Sequence, residues 1–187
     1  TMSEREIEVT AVTHGLSLYL SEALEREVPA DVAEKGKHHL IDTLAAMISG
    51  SRLHPGEMTI KYVRTLGGTD EAVIAGSDIV TSAVHAAMAN AMLSHADETD
   101  DSHKASRSHL GCGVVPAALA MAERERASGT ALLRAVILGY DICARLLLAL
   151  KPMPFLRSGH HAGAFGQLFG HWCRLVIGGR AGQLQQL

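Results

Sequence analysis

Between His95 and His109 the chain reads His-Ala-Asp-Glu-Thr-Asp-Asp-Ser-His-Lys-Ala-Ser-Arg-Ser-His, with three histidines, four carboxylates and two basic side chains in fifteen residues. Imidazole titrates near neutrality and neighbours push a carboxyl either way, so a histidine held beside a carboxylate can divide the work of a proton transfer. Asp100 and Asp101 cannot both be buried and ionised without a cation beside them. His103, Lys104, Arg107 or a metal would serve. The hydroxyls of Thr99, Ser102, Ser106 and Ser108 are small enough to orient a substrate carboxylate. The same stretch offers metal ligands in His95, Asp97, Asp100, Asp101, His103 and His109, a mixture also found in metal-dependent helical hydrolases. The spacing is not an HExxH, and no single tetrahedral set stands out. A solvated loop between helices would carry the same charges, so composition alone does not separate a site from a surface.

Rigid elements must hold such a cluster if it is to act. Ahead of it, from Ser82 to Leu93, nearly every residue is small or apolar, which predicts a helix buried on most of its sides. Behind it, Gly111-Cys-Gly113 allows a turn before a helical pattern from Val114 to Ala122, and Ser128-Gly-Thr130 offers a cap for a long helix through Leu150. Pro152 and Pro154 end that helix. Upstream, apolar residues from Ile7 to Leu24 recur at helical spacing up to Pro29. Asp31 stands as N-cap of a second helix running to Gly50. Pro55 opens a third, which stops at Gly67-Gly68. Ala72-Val-Ile-Ala75 reads as a single extended piece. The expected architecture is one all-α domain over residues 1–187, with six to eight helices and at most one short extended segment.

Composition excludes several classes. Hydrophobic residues are 47% and charged residues 20%, so the chain folds rather than remaining disordered. A net charge of −3, with the basic residues scattered, argues against a nucleic-acid surface. Aromatics at 4% suit alanine-rich helical packing better than a β-sandwich. Three widely spaced cysteines, Cys112, Cys143 and Cys173, suggest reduced thiols and a cytoplasmic location. No membrane span is expected, because no uncharged apolar run reaches about 18 residues. The polar opening from Thr1 to Ile7 reads as no secretory signal. There is no GxSxG elbow, P-loop or GxGxxG, so acyl-serine and nucleotide chemistry lack their signatures. Outside the cluster, His14, His38, His39, His54, His85 and His171 read as surface or satisfied core residues, and Cys112 as a small buried side chain rather than a nucleophile.

Several stretches together resemble the MmgE/PrpD family. Asn90-Ala91, His95-Ala96, Asp100-Asp101-Ser102-His103 and His109 with Gly111 resemble its N-A…H-A-x-D-x-D-D-[TS]-H…H-P-G run. Leu40-Ile-Asp-Thr-Leu-Ala-Ala-Met-Ile-Ser-Gly50 is similar to its early helix, and Gly163-Ala-Phe-Gly166 to its G-[AT]-F-G helix entry. The resemblance covers about residues 10 to 168. It implies a largely helical domain from enzymes of small polycarboxylates: 2-methylcitrate dehydratase, cis-aconitate decarboxylase and iminodisuccinate epimerase. It also implies no metal and no cofactor, with a shared step of proton transfer at a carbon beside a carboxylate. Carried over by position, His109 is an acid or base, Glu98 and Asp101 orient it or share protons, and one of His160 and His161 is a second active-site histidine. Ser102 and His103 would hold substrate, and Lys104 and Arg107 would bind carboxylate.

Two departures from the family pattern stand out. Leu110 replaces the usual proline, and beyond Gly166 the run Gln167-Leu-Phe-Gly-His-Trp-Cys-Arg does not resemble the expected helix. Members carry a second α/β domain, so the reading is of a truncated or frame-altered member that lacks the family's later lysine and tyrosine. An apolar face left by the missing domain would be covered by self-association, so a homodimer is expected, with a small carboxylic acid as ligand and neither nucleic acid nor membrane as partner. The alternatives are a metal-dependent helical hydrolase and a non-catalytic helical dimerisation fragment.

Overall fold

A computed structural model of the chain describes residues 11–157. Along them run α1 (Ala11–Glu25), α2 (Ala30–Gly50), α3 (His54–Leu66), β1 (Ala72–Val73), β2 (Val80–Thr81), α4 (Ala83–Ser94), α5 (Gly111–Arg124), α6 (Gly129–Ala149) and α7 (Pro152–Arg157). Six of the helices have 12 to 21 residues and the seventh has six. The domain is all-α apart from one small hairpin. No helix among these residues is long and apolar enough to cross a membrane.

Helix α4 lies at the centre, packed against α2, α3 and α5, while α6 closes on α5 and α2. Its alanines let neighbouring backbones approach, and the larger buried side chains Met47, Leu93, Val114, Val115 and Val136 supply most of the apolar burial. Each such side chain contributes about 1.5–3 kcal/mol when fully removed from water. Gly50 stands at the tightest crossing, where a Cβ would lie 1.9 Å from the Leu93 carbonyl oxygen. The sequence suggests this glycine as a helix stop. It is the last residue of α2, and the Ser51 cap after it keeps right-handed backbone (φ −62°), so close approach rather than a left-handed turn requires glycine here.

Several boundaries differ from the expectation for identifiable reasons. Pro29 occupies the N-cap of α2 and Asp31 falls in the first turn, where a carboxylate is favoured by the helix dipole without capping a donor. Gly111 starts α5 directly rather than forming a turn, because a distant carboxylate caps it. Pro152 ends nothing: α6 stops at the Leu150 cap, and Pro152 opens α7, where its missing N–H costs little. Ser128 does cap α6, accepting from Ala131 N–H at 3.2 Å. The extended piece finds a partner in Val80–Thr81, with Ala72 opposite Thr81 and Val73 opposite Val80.

Asn90 fastens this hairpin to α4. Its buried amide accepts from Ala75 N–H at 2.8 Å and donates to the Val73 carbonyl at 2.9 Å. Helix α4 is not buried all round. Val84, Met88 and Met92, spaced at i, i+4 and i+8, form one exposed stripe, because an alanine-rich pattern does not specify which face turns outward.

Candidate active site

The cluster hangs between two of the most buried helices. His95 caps the C-terminus of α4, and sixteen positions later Gly111 begins α5. Between them the chain folds back on itself: His103 N–H donates to the Ser108 carbonyl at 2.8 Å, closing a turn over residues 104–107. Ser106 N–H reaches His103 Nδ1 at 3.3 Å, while the buried hydroxyls of Ser106 and Ser108 lie 2.6 Å apart. Asp97 ties the loop to α2 through Ser49 Oγ at 2.6 Å and to Thr99 Oγ1 at 2.7 Å. Those two hydroxyls hold its carboxyl below the ordinary aspartate value.

The Asp100 side chain is wholly buried, and both of its oxygens lie 3.1 Å from His95 Nδ1. His109 Nδ1 donates to the Asp101 carbonyl oxygen at 2.8 Å and sits 3.6 Å from the Asp100 carboxylate. The two imidazoles are 5.2 Å apart, tilted by 55°. Carbonyl and carboxylate oxygens only accept, so each Nδ1 carries the hydrogen. In the neutral ring each Nε2 is then a lone pair. Both side chains remain about two-fifths exposed, enough for a small molecule to reach them.

Asp101 turns the other way, into a second network. Tyr140 Oη of α6 donates to its Oδ2 at 2.7 Å, His39 Nδ1 of α2 lies 3.3 Å from the same oxygen, and Gly111 N–H donates to Oδ1 at 2.9 Å. This carboxylate therefore caps α5 and clamps three helices at one point. Gly111 is required by the crowding: a Cβ would stand 2.5 Å from Thr43 Oγ1, 2.7 Å from Tyr140 Oη and 3.0 Å from Asp101 Oδ1. Burial, and then the Asp101 charge, raise the Tyr140 phenol well above its usual value. Cys112, whose Sγ donates to the His109 carbonyl at 3.4 Å, is pushed up to about 12 by burial first and by Asp100 next. A thiol so placed is no nucleophile near neutral pH.

Of the residues singled out in the sequence, His109 and Asp101 meet at this centre, joined by Asp100 and His95. His103 is engaged in the turn. Lys104 and Arg107 are exposed at its tip. Ser102 and Glu98 are exposed without a side-chain partner among the described residues, and Glu98 has a left-handed backbone (φ 55°). His160 and His161 lie outside the described residues, as does Gly163-Ala-Phe-Gly166. Sequence reasoning passed over His39 and Tyr140. Both lie in ordinary amphipathic helices, and only the fold brings them to Asp101. The one local hint was Gly111, placed where nothing larger fits.

Residues 15–171 match the family described as MmgE/PrpD N-terminal domain. A cis-aconitate decarboxylase-like protein, oryM, of Aspergillus oryzae (strain ATCC 42149 / RIB 40) is 28% identical over 159 residues, covering 81% of this chain and 33% of that protein. Cis-aconitate decarboxylase of Aspergillus terreus is 26% identical over 160 residues, covering 83% of this chain and 33% of that protein. The chain spans about a third of the length of these curated relatives.

Proposed function

The chain belongs to the MmgE/PrpD family, and we propose that its His95–His109 segment supplies the proton-transfer groups of a lyase or isomerase acting on a small carboxylic acid. One observation carries this reading: His109 Nδ1 is fixed by the Asp101 carbonyl beside the buried Asp100 carboxylate, which leaves Nε2 as the base. When Nε2 takes a proton from a carbon next to a carboxylate, the ring becomes positive. The Asp101 carbonyl and the Asp100 charge are already aligned to stabilise it. The electron pair left on carbon spreads into the adjoining carboxylate, or expels a leaving group on the next carbon. Either course needs donors at the anion, and Ser102, Lys104 and Arg107 are the candidates. Asp101 acts by position: the Tyr140, His39 and Gly111 contacts fix the carboxylate whose own backbone carbonyl holds His109.

A thermal-shift series with citrate, 2-methylcitrate and cis-aconitate, with and without chelator, tests the proposal. The expected result is stabilisation by at least one acid that is lost in His109→Asn and indifferent to chelator. Stabilisation that persists in His109→Asn would overturn it.

The metal-dependent hydrolase keeps one favourable observation: ligand atoms of His95, Asp100 and His109 all lie within 4.8 Å of one another, a two-histidine, one-carboxylate set. Coordination through either Nδ1 would forfeit the hydrogen bonds described above. That reading predicts stoichiometric metal and chelator-sensitive stability, which the same series reads out.

A further inference from the structure

The side chains that place the candidate base also frame a zinc site, and the two roles exclude each other at one atom. The Asp100 carboxylate has no exposed surface, and Nδ1 of His95 and Nδ1 of His109 face it at 3.1 and 3.6 Å. Zinc holds nitrogen and oxygen ligands at about 2.0–2.2 Å in a tetrahedron, which sets neighbouring ligand atoms about 3.3–3.6 Å apart. Both measured edges lie close to that length. Ligand atoms of all three residues fall within 4.8 Å of one another, and each imidazole, two-fifths exposed, is free to turn inward and close the remaining edge. Among the described residues no other histidines, cysteines and carboxylates converge in this way.

Ligand type and number say how such a site would behave. Two imidazoles and one carboxylate suit zinc, whereas magnesium takes oxygen ligands and keeps its waters. Cys112 turns its Sγ to the His109 carbonyl at 3.4 Å and stands outside the set, so the chain supplies three ligands and water the fourth. Structural zinc sites are closed by four protein ligands. A three-ligand site with two exposed imidazoles exchanges its ion with solvent. Zinc must also displace the hydrogen on each Nδ1, including the one that His109 donates to the Asp101 carbonyl at 2.8 Å. The metal-free arrangement is therefore the resting one, and occupancy follows the supply of free zinc.

We infer that His95, Asp100 and His109 form an exchangeable zinc site that switches the base off by reversing its tautomer. Zinc bonds to the Nδ1 lone pair of His109, and the hydrogen that Nδ1 carried passes through solvent to Nε2. The ring stays neutral and no net proton is released. The Nε2 lone pair that would take the substrate proton is then occupied, so inhibition does not require the ion to block the acid. This is the opposite of the hydrolase reading, in which the metal is needed for turnover. The switch rests on the function proposed above; the zinc site stands on the geometry alone.

Calorimetric titration of the chain with zinc chloride should show one saturable site, with none for magnesium chloride. His95→Gln, at an exposed ring, should weaken zinc by at least the tenfold that loss of an outer-shell partner already costs a metal site, whereas His54→Gln, an exposed histidine elsewhere, should leave it unchanged. Nitrogen-15 NMR should find neutral His109 protonated on Nδ1 before zinc and on Nε2 after it. Absence of saturable zinc binding overturns the site, as does unchanged affinity in His95→Gln. A His109 that keeps its Nδ1 hydrogen with zinc bound overturns the switch. Citrate is added to a separate sample, because it binds zinc itself. A His109 Nε2 resonance moved by citrate in a chain that binds no zinc refutes the zinc site and leaves the proton-transfer reading standing. Zinc binding with the tautomer reversed, in a chain that neither citrate, 2-methylcitrate nor cis-aconitate perturbs, supports the site and refutes that reading and the switch with it.

Discussion

Replacing Gly111 by alanine tests the clamp that holds the candidate site together. The glycine does not have positive φ, so its backbone suits alanine, and in an open helix the exchange would stabilise by about 0.4–1 kcal/mol. Here the new methyl would meet Thr43 Oγ1 at 2.5 Å and Tyr140 Oη at 2.7 Å. Overpacking of this kind costs about 1–3 kcal/mol. Displacing the phenol from Asp101 would remove a hydrogen bond to a charged group worth about 1.5–3 kcal/mol. The penalties exceed the gain, so a net loss of about 2–5 kcal/mol is expected, or roughly 5–15 °C in Tm for a chain of this size. Urea and thermal unfolding read this directly. Gly129→Ala is the control, because nothing lies within 4 Å of a Cβ there, and it should be neutral or slightly stabilising. A Gly111→Ala protein as stable as the control would refute the clamp.

Asn90→Ala should cost about 2–4 kcal/mol, because it leaves the Ala75 N–H and the Val73 carbonyl without partners, and hydrogen exchange should accelerate at Ala75 first. Cys112 should resist alkylation at pH 8.5 in the folded chain and react in urea, as followed by residue-resolved mass spectrometry. Its folded value, about 12, lies above the ordinary 9.0, so the folded state holds that proton more tightly. The associated stability is present below pH 9 and is lost as pH rises from 9 towards 12; Tyr140 acts in the same direction. The urea midpoint should therefore fall between pH 8.5 and 10.5, and a flat midpoint would contradict the partial burial of both groups beside Asp100 and Asp101.

What could be read in the sequence was local. Ser128 as a cap, Gly67-Gly68 as a stop and the all-α class follow from patterns within a few residues. The His95–His109 segment was visible by its density of titratable groups, and the join of His109 to Asp101 falls within eight residues. The second network was not visible, because His39 and Tyr140 lie 62 and 39 residues from Asp101 and carry no local mark. Gly50 shows the same limit. A glycine at a helix end reads as a stop, and only the packed Leu93 carbonyl reveals that contact requires it. The outward stripe of α4 was hidden for the opposite reason: when every side is apolar, periodicity does not orient the helix.

The most direct test of the proton-transfer reading is nitrogen-15 NMR of the imidazole side chains, before and after a citrate-like acid is added. The hydrogen bond to the Asp101 carbonyl predicts that neutral His109 carries its hydrogen on Nδ1, with an unprotonated Nε2 whose resonance moves on ligand addition. A His109 protonated on Nε2 in its neutral form, or an Nε2 resonance unmoved by any acid that binds, would contradict it.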